Sequence, residues 1–553
     1  MKILWIDLNS SYAHSSLALP ALHAQIKDKS PYEWEMVSAT INENVGMVVE
    51  RIIDHQPDII AATMWLFNHE QLLHITSRVK ALLPKACLIL GGPEFLGENE
   101  TFLRCNPFVD AVFRGEGEEH FPQWLSCWDN PTAWATIDGL CYLDENSVYH
   151  DNGKAKTSAF DLLVPPEESR FFNWDKPFVQ LETTRGCFNT CAFCVSGGEK
   201  PVRALPIDTI RQRLDTIHQH GIKNVRVLDR TFNANPRHAK ELLNLFLEYH
   251  PHIRFHLEIH PALMNDALKS ELTRMPKGLL HLEAGIQSLR EPVLQQCRRM
   301  GKLADAMEGL KFLCSQSNLD THADLIAGLP LYRLEDILED IHTLASYCTG
   351  EIQLELLKLL PGTEMRMRAE ELGIRYSPLP PYEVLQTNEC TTAELQTARQ
   401  LSRLLDAFYN TPAWQELTRT LILNEEGFLL QFLDYLNKRN LTDQPMSLEK
   451  RGLVLYEYCQ KHYPQYQIQA SIAWIEAGMS LKKKPAERAK TKHQTPPDAW
   501  EILEGTYKEE LRLCFLPIDA EGTYGYWFGF EAESQRTTPV FKAKTSPNHD
   551  SHI

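Results

Sequence analysis

Hydrophobic residues in the first third of the chain fall in short runs, each followed by polar or amphipathic spacing. MKILWIDL, PDIIAATMW, ACLILGG and DAVFRGEGE read as strands. Between the second and third of these, NHEQLLHITSRVKALLP carries apolar residues at helical intervals and ends on proline, the pattern of a helix. Strand–helix alternation with glycines at strand ends predicts an α/β fold, a doubly wound Rossmann-like sheet over residues 1–160. Ligands of such sheets lie beyond the carboxyl ends of the strands, where NSSYAHSS, MWLFNHE, GGPEFLG and GEGEE accumulate.

TSAFDLLVPPEESRFFNWDKP, with paired prolines and little periodicity, reads as an interdomain connection. A second alternating series follows: FVQLETT, NVRVLD, RFHLEIH, LLHLEAG, DTHADLIAG and EIQLELLK. Six strands with helices between them predict a partial (β/α)6 barrel of TIM type over residues 175–377, its active site at the strands' carboxyl ends. From residue 378 the pattern is mainly helical to the end at 553, with AELQTARQLSRLLDAFYN and GFLLQFLDYLNKR amphipathic. Within this third domain, LKKKPAERAKTKHQTPP (481–497) is a basic linker, solvated or in contact with nucleic acid. LRLCFLPID and YGYWFGFE have the character of a small sheet, and SPNHDSHI that of a disordered tail.

Composition narrows the classes. A length of 553 residues is too great for one core. No apolar run is long enough to span a membrane, and MKILWIDLNSSYAHSS lacks the layout of a signal peptide, so a cytoplasmic protein is expected. A net charge of −17 disfavours broad phosphate-backbone binding. Thirteen scattered cysteines fit reduced thiols plus a metal cluster better than a disulfide framework.

The chemistry concentrates in TTRGCFNTCAFCVSGG, just after the first strand of the second series. Cys187, Cys191 and Cys194 stand as C-x3-C-x2-C. Zinc would want a fourth ligand, and no second C-x2-C pair occurs. A [4Fe–4S] cluster with one open iron needs only three thiolates and leaves that iron to bind a substrate.

This loop, in this strand order, resembles the signature of the radical SAM superfamily. The resemblance implies a [4Fe–4S] cluster on Cys187, Cys191 and Cys194. It also implies that S-adenosylmethionine (SAM) chelates the open iron and is cleaved to a 5′-deoxyadenosyl radical. Phe193 matches the aromatic that packs by the adenine. LDRTFNAN, HLEIHP, LEAGIQS and ADLIAGLP resemble the superfamily's later strand ends, which makes Asp229, Glu258, Gln287 and Ser288 expected SAM contacts. The second strand lacks the usual Gly-Gly-Glu for the SAM amino group; Asp229, Arg230 and Thr231 stand there instead.

The N-terminal series resembles the cobalamin-binding domain placed ahead of many radical SAM cores. It lacks the three scattered cysteines of the methylthiotransferases, which share the barrel. The resemblance implies cobalamin contacts from Trp65, Asn68, Gly91, Gly92, Pro93, Gly115, Glu116 and Gly117. Glycines would admit a large flat ligand to the backbone. Trp65 and Phe67 suit either the corrin or the core, and Glu116 and Glu118 suit either a ligand or a helix cap. The D-x-H-x-x-G motif is absent, with His14 and His69 isolated, so cobalamin is expected to bind without a histidine ligand.

Together these resemblances imply a cobalamin-dependent radical SAM enzyme that methylates an unactivated carbon through methylcobalamin. Radical cyclisation or rearrangement without methyl transfer, and non-catalytic binding of a corrinoid or cluster, are the alternatives. The C-terminal region resembles a domain of unknown function appended to a branch of such proteins. Expected partners are an electron donor such as flavodoxin or ferredoxin and a substrate that is a small molecule, peptide or lipid.

Overall fold

A computed structural model describes residues 1–26, 31–347, 350–491, 500–531 and 538–545. The chain divides into two compact units, Met1–Asp340 with Glu355–Leu395, and Ile341–Leu354 with Gln396–Ile553. No helix among the described residues is long and apolar enough to cross a membrane.

The first unit holds two large sheets and two short two-stranded ones. One is built from β1 (Lys2–Asn9), β2 (Glu33–Thr40), β3 (Ile59–Thr63), β4 (Cys87–Gly91), β5 (Ala111–Phe113), β6 (Leu140–Leu143) and β7 (Tyr149–Asp151). Their order is β2-β1-β3-β4-β5-β6-β7, parallel through β5 and antiparallel beyond it. Apolar residues alternate across the sheet. Leu4, Ile6, Ile60 and Leu88 join Val48, Leu72 and Ile75 in one core, while Ile3, Trp5, Ile59 and Ile89 join Leu19, Phe121 and Trp124 in another. Each such side chain contributes about 1.5–3 kcal/mol on full burial.

The chain then runs through β8 (Val179–Leu181) into a two-stranded ribbon of β9 (Thr184–Arg185) and β10 (Arg203–Ala204). The barrel sheet continues with β11 (Asn224–Val227), β12 (Arg254–Ile259), β13 (Leu280–Gln287) and β14 (Asp320–Ala327), all parallel in the order β14-β13-β12-β11-β8. The strand β15 (Glu351–Leu356) spans the boundary between the two units, and within the first unit the Leu357 amide just after it donates to the Ala327 carbonyl at 2.9 Å. A short hairpin, β16 (Arg375–Tyr376) with β17 (Val384–Gln386), ends this unit's sheet structure.

The second unit is helical over Pro412–Asn424, Phe428–Asn437, Leu448–His462 and Gln467–Glu476. Gly452 admits the Trp414 ring, whose edge would lie 2.4 Å from an added Cβ. Four antiparallel strands then form a sheet in the order β18-β21-β20-β19, with β18 Trp500–Gly505, β19 Arg512–Pro517, β20 Gly525–Phe530 and β21 Phe541–Thr545. Residues 492–497 of the basic linker and the terminal SPNHDSHI lie outside the described residues.

Candidate active site

The cysteine loop is held in place from behind. Asp229, just past β11, accepts hydrogen bonds from the Thr183 and Thr184 amides, both at 2.8 Å, and from the Thr183 hydroxyl. It is 1% exposed; burial pushes its carboxyl up while the threonine donors pull it down. Downstream, the Cys187 amide donates to Glu199 at 2.9 Å and the Gly198 amide to Asn189 at 2.7 Å, closing the loop on itself. Within it the Cys194 amide donates to Cys191 at 3.1 Å.

Beyond the carboxyl ends of β11 to β14 lies a cleft of about 150 Å³ lined by Cys187, Cys191, Cys194, Phe193, Glu258 and Gln287. Arg230, His260, Glu283, Arg299 and Asp324 share its wall. Glu258 is raised to about 7 by burial and by the nearby Glu283 carboxylate, against the pull of Arg230. Burial likewise pushes the Cys191 and Cys194 thiols up.

Below the cleft the barrel interior is polar. His281 and His322 face each other at 3.0 Å, and His256 meets Glu283 at 3.1 Å. Burial opposes ionisation of Glu283, but its contacts with His256 and His322 hold the carboxyl low. Asp324 is pushed up by burial and by Glu283.

Among the residues expected to hold SAM, the structure brings Phe193, Glu258 and Gln287 to the cleft with the three cysteines. Gln287 sits at φ 72, where β13 slips register against β14 between Gly285 and Gln287. Such an irregularity re-aims a side chain beside a site. Asp229 and Ser288 are not on the cleft wall. Asp229 spends its oxygens on the loop amides, and Ser288, fully buried, accepts from the Arg290 amide at 3.1 Å and faces Asp340 at 3.4 Å. Glu283 and Asp324 were legible from the two-residue period of LEAGIQS and ADLIAG, which puts them on the same face as Gln287. His260 likewise stands two residues after Glu258 in HLEIHP, whereas Arg299 follows no strand periodicity and had no such signal.

The N-terminal sheet gives several expected cobalamin contacts other tasks. Asn68 is 1% exposed, accepts from the Trp65 amide at 2.7 Å and donates to the Leu8 and Thr63 carbonyls. Gly92, at φ +112, backs onto the Met64 carbonyl, 2.6 Å from an added Cβ; Gly115, at φ +109, backs onto that of Ala155 at 2.3 Å. These two glycines therefore answer to the protein's own chain packing. Glu116 accepts from Arg203, from Arg185 at 3.3 Å and from the Thr157 amide at 2.8 Å. Burial raises its carboxyl, but these partners hold it at about 2. Glu118 pairs with Arg185 at 2.9 Å, so both glutamates join the first sheet to the ribbon that carries the cysteine loop.

What remains open at those strand ends is aromatic. Trp65 and Phe67 are 37% and 42% exposed and stack with ring centroids 6.4 Å apart, while a Cβ added at Gly91 would come no nearer than 3.7 Å to a neighbour, Phe113, and Pro93 opens a short helical turn. His14 meets Ser11 at 2.8 Å and His69 meets Glu94 at 2.7 Å.

The donor set fits the cofactors that the fold implies. Three thiols face a cleft whose buried His260 Nε2 and Asp324 Oδ1 lack hydrogen-bond partners, room and polarity for an iron–sulfur cluster with a polar ligand beside it. An exposed, stacked Trp65–Phe67 pair at the end of a parallel sheet suits a large planar ligand such as a corrin.

Comparison with known proteins agrees with this geometry. Residues 181–344 match the radical SAM superfamily, 6–125 the B12 binding domain, and 370–497 a protein family of unknown function, DUF4080. The cobalamin-dependent radical SAM methyltransferase TokK of Streptomyces tokunonensis is 22% identical over 349 residues, covering 58% of this chain and 50% of that protein. An uncharacterized methyltransferase of Pyrococcus horikoshii, PH0819, is 27% identical over 195 residues, covering 34% and 42%. The chain thus spans about half the length of the curated relatives it matches. Among solved structures, the cobalamin-dependent radical SAM enzyme OxsB with aqua-cobalamin and SAM bound superposes at a TM-score of 0.61 and 13% identity, covering 88% of this chain and 82% of that one. The methyltransferase TsrM of Kitasatospora setae, with cobalamin and [4Fe–4S] cluster bound, gives 0.57 at 16% identity, covering 71% and 80%. These likenesses establish the fold. The chain thus carries, in that order, a B12-binding domain, a radical SAM domain and a DUF4080 segment.

Proposed function

We propose that this protein is a SAM-cleaving radical enzyme that transfers a methyl group to an unactivated carbon. The observation that carries the reading is the cleft itself: three thiols beside several charged and polar groups, in the same compact unit as a B12-binding sheet. When bound, the cluster supplies the electron that cleaves SAM and cobalamin supplies a carrier for the methyl group. Within the cleft, Cys187, Cys191 and Cys194 would hold the cluster. Arg230 offers a guanidinium group that suits a carboxylate, Glu258 offers a carboxylate for hydroxyl or ammonium groups, and Gln287 supplies an amide. Phe193 supplies an apolar surface for a base.

With Glu258 near 7, its anionic form predominates above that pH and its neutral form below. A cationic ligand favours the anion, so SAM affinity is expected to tighten about tenfold between pH 6 and 8. Equilibrium dialysis of the reconstituted protein across this range measures it, and Glu258→Gln should flatten the profile. An equally steep profile in the variant removes Glu258 from this role.

Product analysis tests the reaction class. After anaerobic reconstitution with iron, sulfide and hydroxocobalamin, SAM turnover under a strong reductant is expected to yield both S-adenosylhomocysteine and 5′-deoxyadenosine. Deoxyadenosine alone would overturn methyl transfer. It would favour a radical cyclisation or rearrangement, a reading that the 21% identity over 317 residues to an anaerobic magnesium-protoporphyrin IX monomethyl ester cyclase of Cereibacter sphaeroides keeps in play.

A further inference from the structure

The cysteine loop is stitched along its length to a basic turn, Cys297 to Met300, that comes from after the fourth barrel strand. The Ala192 amide donates to the Cys297 carbonyl at 2.9 Å, and the Thr190 hydroxyl to the Arg298 carbonyl at 3.0 Å. The Met300 amide donates to Asn189 Oδ1 at 2.9 Å. Between these backbone ties, Arg299 reaches inward. Its Nη1 donates to Cys191 Sγ at 3.6 Å, and its Nη2 is fixed on the Gly285 carbonyl at the end of β13. Arg298, at φ 56, points away and pairs with Glu364. The turn thus separates two adjacent cations, one on a cysteine sulfur and one on the surface.

We infer that Arg299 is a positioning residue that raises the reduction potential of the cluster through its charged hydrogen bond to the Cys191 sulfur. This rests on the reading of the cysteine loop as an iron–sulfur site. A reduced cluster carries one more negative charge than an oxidised one, and part of it resides on the thiolate sulfurs. A guanidinium N–H held against one sulfur stabilises the reduced form more than the oxidised form, so one-electron reduction becomes easier. Hydrogen bonds to the sulfurs, net charge and solvent exposure are the levers by which proteins set such potentials. Two anchors make the contact persistent. Gly285 holds one arm of the fork, and the three backbone ties hold the turn, so the guanidinium is ordered before the cluster binds. The buried Cys191, 6% exposed, keeps water from screening the interaction.

The test is an anaerobic redox titration of the full-length reconstituted chain without SAM, following the reduced cluster by electron paramagnetic resonance. Arg299→Gln removes the charge and is expected to lower the ratio of reduced to oxidised cluster about tenfold at a fixed solution potential, equivalent to about 59 mV for one electron. Arg298→Gln removes the same charge one residue away and should leave the ratio within twofold. An Arg299→Gln protein with a full cluster and an unchanged ratio overturns the inference, as does an equal shift in both variants. If the glutamine variant retains no cluster, Arg299→Lys decides. It keeps the charge but loses the fork geometry, and a shift of about threefold is expected, whereas a wild-type ratio overturns the hydrogen-bond assignment. Failure of the wild-type chain to bind any cluster would instead overturn the underlying reading of the site.

Discussion

Replacing Cys191 with alanine is expected to remove the cluster and, with it, all formation of 5′-deoxyadenosine. The residue stands between the other two cysteines on a loop whose backbone is already closed without it, by Cys187 on Glu199 and Gly198 on Asn189. Cysteine to alanine at a buried position loses one sulfur and little else, so the fold should persist. Two thiols cannot hold the cluster and still present one open iron. Iron and sulfide analysis after anaerobic reconstitution, beside a SAM-cleavage assay, reads both consequences. An alanine variant that still cleaved SAM would remove the central claim, because no other arrangement of the described cysteines puts three on this cleft wall.

Replacing Asp229 with alanine should have the next largest effect, and through a different route. The carboxylate satisfies the Thr183 and Thr184 amides and the Thr183 hydroxyl immediately before the cysteine loop. Thr183 is fully buried, so water does not readily replace the lost acceptor. A buried donor left unsatisfied costs about 1–3 kcal/mol, which puts the loss near 3 kcal/mol for two amides offset by partial relaxation. The loop entrance should loosen and cluster retention fall several-fold. Asp229→Asn keeps one acceptor oxygen and is expected to recover part of both. Thermal unfolding and iron content measured together test this; an alanine variant with wild-type stability would return Asp229 to the role of a ligand contact.

Much of the architecture was legible because it repeats locally. Alternating strand and helix patterns carried the parallel sheets, and the resemblance of HLEIHP and LEAGIQS to known strand ends singled out Glu258 and Gln287, which share the cleft wall. The cysteine spacing is local too, since eight residues contain all three thiols. Cofactor contacts inferred from strand-end composition were harder to place. Asn68, Glu116, Asp229 and Ser288 are polar residues at the expected strand ends, yet each is engaged by partners within the protein. For Glu116 these are Arg203 and Arg185, residues of a ribbon far along the chain. Gly92 and Gly115 stand at those strand ends with φ of +112 and +109, where an added Cβ would meet the backbones of Met64 and Ala155.

By itself, then, the sequence determined the alternating strand and helix series and the C-x3-C-x2-C spacing of the cysteine loop, because both are local patterns over a few residues. Tertiary structure alone decided which charged groups share the cleft. Arg299 meets Cys191 from a turn more than a hundred positions away, Glu283 and Asp324 face each other from adjacent strands, and Arg185 and Arg203 take up Glu116. A polar side chain at a strand end is equally suited to a ligand or to another part of the chain. Only the partners that folding brings within hydrogen-bonding distance determine which it serves.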